Sequence, residues 1–215
     1  MDRIPSKRAT PASPKEEAIL RAGRGLFFRH GIRRVRVEEV CADARVSKRT
    51  FYRYFRDKDA LAIAVLGELF AAGRARLEAI LGHDCGLEEK VRQIMAVKTE
   101  LASQTSATFY REALDDSTEP GRYALREQHE WEQRVRRFYL DAQARGQIRG
   151  DVDIDVLMAL LVRSRELVKD PDLGRLVPDF ARLTQTVMTL FFYGIVPRAP
   201  ADPRRAQPRA RRKQT

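Results

Sequence analysis

The chain has 215 residues, 43% hydrophobic and 33% charged, enough to bury one or two cores. Its longest apolar run, Val156 to Val162, falls far short of the ~18 residues a membrane span needs. Of the formal net charge of +11, residues 197–215 hold +6 and residues 1–15 hold +3, but residues 31–58 hold a further +5 on a segment that can fold, while residues 59–196 are net −4.

Residues 1–14 are rich in Pro, Ser, Lys and Arg and lack the apolar stretch of a secretory signal, so they are expected to form a disordered basic arm. The first helix is expected from about Lys15 to His30, with Ile19, Ala22, Leu26 and Phe27 as its buried stripe and Gly31 as its stop. Gly23 and Gly25 inside it point to close packing or a weak helix; no strand precedes them and no third glycine follows, which excludes a nucleotide loop. A short helix over Val37 to Ala44 is expected to turn Val37, Val40 and Cys41 inward. A tight turn at Arg45 and Val46 leads to a second short helix, Ser47 to Phe55, with Ser47 as N-cap. Asp57 caps a longer helix to about Leu81. Further helices are expected over Leu87 to Gln104, Ala107 to Asp115, Arg122 to Arg145, Asp151 to Val168 and Pro178 to Ile195, with Pro120-Gly121, Gly146 to Gly150 and Asp170-Pro171 as breaks. Residues 197–215 repeat Pro, Ala and Arg and are expected to be a disordered basic tail. The fold class is all-α.

The pair of short helices carries the functional signal. A helix-turn-helix places its second helix in the major groove, with that helix's N-terminal residues at base edges. Phe51 and Phe55 are four residues apart and share one face, which anchors this helix to a core. Lys48, Arg49, Thr50, Tyr52 and Arg53 are left on the other faces. Arg and Lys donate to guanine O6 and N7, and Thr offers a methyl group to thymine. Tyr52, Tyr54 and Lys58 suit phosphate oxygens.

These residues resemble the DNA-binding domain of the tetracycline-repressor (TetR) family over residues 15–66. The resemblance runs through Ala22, Leu26, Phe27 and Gly31, then Val37, Val40 and Ala44, then Val46-Ser47-Lys48-Arg49-Thr50-Phe51-Tyr52-Arg53-Tyr54-Phe55, and ends on Lys58 and Leu61. It implies a three-helix helix-turn-helix domain over residues 15–60 and a helical ligand-binding and dimerisation domain over 61–196. It also implies a ligand-responsive repressor that binds a palindromic operator in double-stranded DNA as a homodimer. Arg36 stands where the family usually has a Thr that caps the helix and touches phosphate; an arginine loses the cap but still reaches a phosphate. Arg45 stands where the family usually has Gly, a position that can demand positive φ. The DNA-binding set is therefore Arg36, Arg45, Ser47, Lys48, Arg49, Thr50, Tyr52, Arg53, Tyr54 and Lys58.

The C-terminal half resembles the family by pattern alone. Val156, Leu157, Leu160 and Leu161, then Val187, Leu190, Phe191 and Phe192, are apolar enough for burial in both a core and a dimer interface. Phe109, Tyr110, His129, Trp131 and Met158 are the candidate contacts for a small-molecule effector, with Phe138, Glu112 and Asp116 as further options. No cofactor is expected. His30, His83 and His129 lack ligand spacing, and Cys41 and Cys85 share no metal or redox spacing, so no metal site is expected either and a reducing cytoplasm is the default compartment. No nucleophile elbow, phosphate loop or catalytic pairing marks an enzyme. The alternative reading is an architectural DNA binder without effector, with affinity supplied by the basic tails.

Overall fold

In a computed structural model, the chain is described over residues 13–169 and at positions 182, 185, 186, 189, 190 and 194; these residues form helices and no strand. Helix α1 (Pro14–His30) starts one residue before the expected Lys15. Ser13 is its N-cap, the hydroxyl accepting from the Glu16 N–H at 3.3 Å, and Pro14 occupies the first turn, where a missing N–H costs nothing. Gly31 ends the helix at φ 83°, and a Cβ there would come within 2.8 Å of both Glu112 and Thr108. Helices α2 (Val37–Asp43) and α3 (Lys48–Tyr54) follow, two turns each. Then come α4 (Lys58–Gly82), α5 (Leu87–Gln104), α6 (Ala107–Ala113), α7 (Glu119–Ala144) and α8 (Ile154–Lys169).

Three boundaries differ from expectation by two residues or more, each alongside a local hydrogen bond. α6 stops at Ala113 rather than Asp115, and the freed Asp115 carbonyl accepts from the Thr118 N–H at 3.0 Å. α7 begins at Glu119, not Arg122: the Thr118 hydroxyl accepts from the Gly121 N–H at 3.1 Å, so Pro120 is a first-turn proline and not a breaker. α8 begins at Ile154, not Asp151, because the Asp153 carboxylate accepts from the N–H groups of Asp155 and Val156 at 2.8 and 3.1 Å. The expected arm up to residue 12, the tail from 197, and all but six positions of the helix expected over Pro178 to Ile195 lie outside the described residues.

Two apolar clusters organise the chain. The first joins Ile19, Phe27, Phe28, Val40, Phe51 and Phe55 to Leu61, Val65 and Leu66 of α4, and to Phe109, Ala113 and Ala124 beyond it. Gly23 brings α1 close to α4: a Cβ there would sit 2.8 Å from a Leu61 methyl, so its role is close packing. The second cluster is built from Leu87, Val91, Ala142, Ile148, Ile154 and Leu157. α4 thus runs across the boundary expected between residues 60 and 61 and buries its first two turns in the first cluster.

Candidate nucleic-acid interface

The candidate interface depends on how α3 is held. The Ser47 hydroxyl accepts from the Thr50 N–H at 3.1 Å and starts the helix. Phe51 is fully buried and Phe55 nearly so, their ring centroids 5.9 Å apart, which pins one face of α3 into the first cluster. Lys48, Arg49, Tyr52 and Arg53 remain exposed on the opposite side. Thr50 is half-buried, with its hydroxyl 3.0 Å from that of Ser47.

The turn between α2 and α3 is closed by the Val46 N–H donating to the Cys41 carbonyl at 2.9 Å, and Arg45 sits in it at φ 53°. A side chain in this left-handed region costs roughly 1 kcal/mol or more, the expense anticipated for a non-glycine residue here. Arg36 is the N-cap residue of α2 without a side-chain cap, as expected of a guanidinium that has no acceptor. The reverse half of a capping box survives: the Glu39 carboxylate accepts from the Arg36 N–H at 2.7 Å. Burial raises the Cys41 thiol above its ordinary value, consistent with a small core residue.

Several expected contact residues already have partners. The Lys48 ammonium lies 2.6 Å from the Glu38 carboxylate on α2. This contact holds the Glu38 carboxyl below the ordinary range and raises Lys48. Tyr54 accepts from the Ser13 hydroxyl at 2.7 Å, tying the start of α1 to the end of α3, and the Arg53 guanidinium lies 5.2 Å from the centre of the Tyr54 ring. Lys58, expected at a phosphate, donates to the carbonyls of Arg33 and Val35 at 2.9 and 3.0 Å and so fastens the loop before α2.

The C-terminal candidates are spread out. Phe109 is buried against Phe28, ring centroids 4.8 Å apart, within the first cluster. Met158 packs on the second cluster, as does Phe138. His129 is exposed with its imidazole 3.7 Å from Glu132, while Tyr110 and Trp131 are half-buried. A cleft of about 710 Å³ lies between the loop after α1 and helices α6 to α8, lined by Arg33, Arg111, Glu112, Asp115, Asp116 and Arg163 among others, and by none of the five candidates. Among the described residues no group of three or more His, Cys, Asp or Glu side chains is placed to hold a metal ion, and no helix is long and apolar enough to cross a membrane.

No sequence pattern signals the contacts of Lys58 with the carbonyls of Arg33 and Val35, of Glu38 with Lys48, of Ser13 with Tyr54, or of Glu112 and Asp115 with the loop after α1. The Glu112 carboxylate accepts from the N–H groups of Ile32 and Arg33 at 2.5 and 2.9 Å, and Asp115 pairs with the Arg33 side chain. Partners some 80 residues apart leave no local pattern that would reveal them.

Comparison with known proteins agrees with this geometry. Residues 19–65 match the model for bacterial regulatory proteins of the tetR family. The HTH-type transcriptional regulator RutR of Escherichia coli K12 is 32% identical over 111 residues, 50% of this chain and 52% of RutR, so the chain spans about half the length of the curated relatives it matches. The fold is shared with the fatty acid degradation regulator FadR from Bacillus halodurans, with a TM-score of 0.68 at 17% identity over 86% of this chain and 98% of that one. It is also shared with the transcriptional regulator FadR from Bacillus subtilis in complex with stearoyl-CoA, with a TM-score of 0.67 at 17% identity over 83% and 98%.

Proposed function

We propose, from the match of residues 19–65 to the model for bacterial regulatory proteins of the tetR family, that the chain is a member of that family and a ligand-responsive transcriptional repressor acting on a palindromic operator as a dimer. The observation that carries this reading is α3 itself, pinned by buried Phe51 and Phe55 and presenting Lys48, Arg49, Tyr52 and Arg53 to solvent. Residues 15–60 read DNA, with Arg36, Arg45, Ser47, Thr50, Tyr54 and Lys58 completing the contact set. Residues 61–196 bind the effector and dimerise. The protein works in the cytoplasm and catalyses nothing.

Dimerisation is supported by the apolar side chains that stand out in water: Val156 is 55% exposed, Leu160 50% and Leu190 71%. Two subunits related by a twofold axis would place their α3 helices ~34–36 Å apart, or a multiple of that spacing.

Response to a ligand is supported by the tie between α6 and the DNA-binding unit. Glu112 holds the backbone of Ile32 and Arg33, and Phe109 bears on Phe28. An effector that favours a displaced α6 shifts α1 with it, and effector and operator then weaken one another by a single coupling free energy, typically ~1–3 kcal/mol. The ligand of the Bacillus subtilis FadR structure, stearoyl-CoA, suggests a small organic molecule as the class of effector. Phe109, Tyr110, His129, Trp131 and Met158 remain the contacts to test.

The deciding experiment is selection of duplex DNA from a random pool at physiological salt. An enriched palindrome is expected, and its spacing would give the separation of the two α3 helices. Binding without enrichment favours an architectural protein instead, a reading that the +6 charge of residues 197–215 supports. Deleting that tail separates the two: a sequence-reading dimer keeps its specific site, whereas an architectural binder loses most of its affinity.

A further inference from the structure

Glu38 is an acid on the face proposed to meet a polyanion. It lies in the first turn of α2, and its carboxylate sits 2.6 Å from the Lys48 ammonium at the first position of α3. Both side chains are more than half exposed, so packing does not force them together, and such a pair adds little to stability. Its consequence lies in what it does to Lys48.

A lysine is a point charge on a flexible four-carbon stem. Beside a duplex, a free lysine is drawn to the phosphates, whose field dominates affinity and carries no sequence information. The first residues of the second helix are, however, the ones that reach base edges. We propose that Glu38 is a positioning residue for sequence readout, holding Lys48 at the N-terminus of α3 so that its ammonium addresses a base edge and not the backbone. Glu38 accepts one of the three ammonium N–H bonds, leaving two for guanine O6 and N7. Its own negative charge repels phosphate, so it penalises binding in any register that does not supply the base contact. Thr50, two residues further on, has its hydroxyl held 3.0 Å from that of Ser47. The side chains at this end of α3 are thus oriented before DNA arrives, which reduces the ordering that binding requires.

The inference rests on the DNA-binding reading above, and its test separates the two. Wild type, Glu38→Gln, Lys48→Ala and the double variant are each put through selection from a random duplex pool, then titrated on the enriched site and on a scrambled duplex over a range of salt. Glu38→Gln keeps shape and hydrogen-bonding capacity but removes the charge, and its unfolding midpoint should match wild type. It is expected to bind scrambled DNA several-fold tighter, to lose about tenfold in discrimination, and to steepen the salt slope by about one as Lys48 moves to a phosphate. Base preference should relax at one position per half-site, the same position that Lys48→Ala relaxes, and the double variant should relax it no further. The inference is overturned if Glu38→Gln leaves the selected site unchanged, if it shifts all sequences alike, or if it relaxes a position that Lys48→Ala leaves intact. Failure of wild type to enrich any sequence would overturn the sequence-reading function itself, and this inference with it.

Discussion

Lys58, proposed for one role, is engaged in another in the folded chain. Its place after α3 suits a phosphate contact, yet in the free protein two of its N–H bonds go to the carbonyls of Arg33 and Val35. These bonds fix the loop that carries Arg33, Arg34 and Arg36 into α2. Lys58→Ala should therefore lower stability by about 1–2 kcal/mol without any DNA present. Urea unfolding checks this: an unchanged midpoint would leave Lys58 as a phosphate ligand alone. The sequence shows that a cation is available here; only the folded chain shows which acceptors it meets first. Arg45 is the converse case. The family resemblance, with Gly usual where Arg45 stands, marked this as a position that can demand positive φ, and φ is 53°.

Among elements, α4 depends most on its start. Asp57 caps it by accepting from the Ala60 N–H at 2.8 Å, and this bond is the main reason its carboxyl lies below the ordinary range. A carboxyl with a depressed folded pKa adds stability that is present above its unfolded pKa, ~3.9, and is lost as pH falls through the lower folded value. Asp57→Ala should thus cost about 1 kcal/mol at neutral pH. That gap should close as the protein is acidified below ~4, measured as the difference in unfolding free energy between the two proteins across pH. A gap constant with pH would mean that the charge plays no part in the cap. α7 carries a different lesson at this scale. Pro120-Gly121 looks like punctuation in a linear reading, but Pro120 is acceptable in a first turn, and buried Gly121 is required because a Cβ there would fall 1.8 Å from the Asp115 carbonyl oxygen.

At the scale of the whole molecule, the core built around α1 to α3 extends past residue 60. Leu61, Val65 and Leu66 are almost fully buried in it, and Phe109, 3% exposed, covers Phe28. A fragment of residues 1–60 should consequently fail to fold, giving little helical signal in circular dichroism, whereas the full chain melts cooperatively. In the full chain Phe109→Ala should cost about 3 kcal/mol through the cavity it leaves. A helical, cooperatively melting 1–60 fragment would show that α4 and α6 are dispensable to that core. The proposed coupling between α6 and α1 would run through this same continuity.

The sequence alone was sufficient for the order of the eight helices among the described residues, though not for every boundary, for the turn at Arg45 and for the division of α3 into buried phenylalanines and exposed cations. All of these depend on periodicity and on residues within a few positions of each other, and such local preferences act before any tertiary contact forms. Tertiary structure decided the partners. Lys48 meets Glu38, Tyr54 meets Ser13, Lys58 meets the carbonyls of a loop, and Glu112 meets Ile32 and Arg33 across 80 residues of chain. It also sent Phe109 to one cluster and Met158 to the other. Hydrogen bonds and ion pairs are short-ranged and directional, so which donor finds which acceptor is settled only when packing has brought distant helices together.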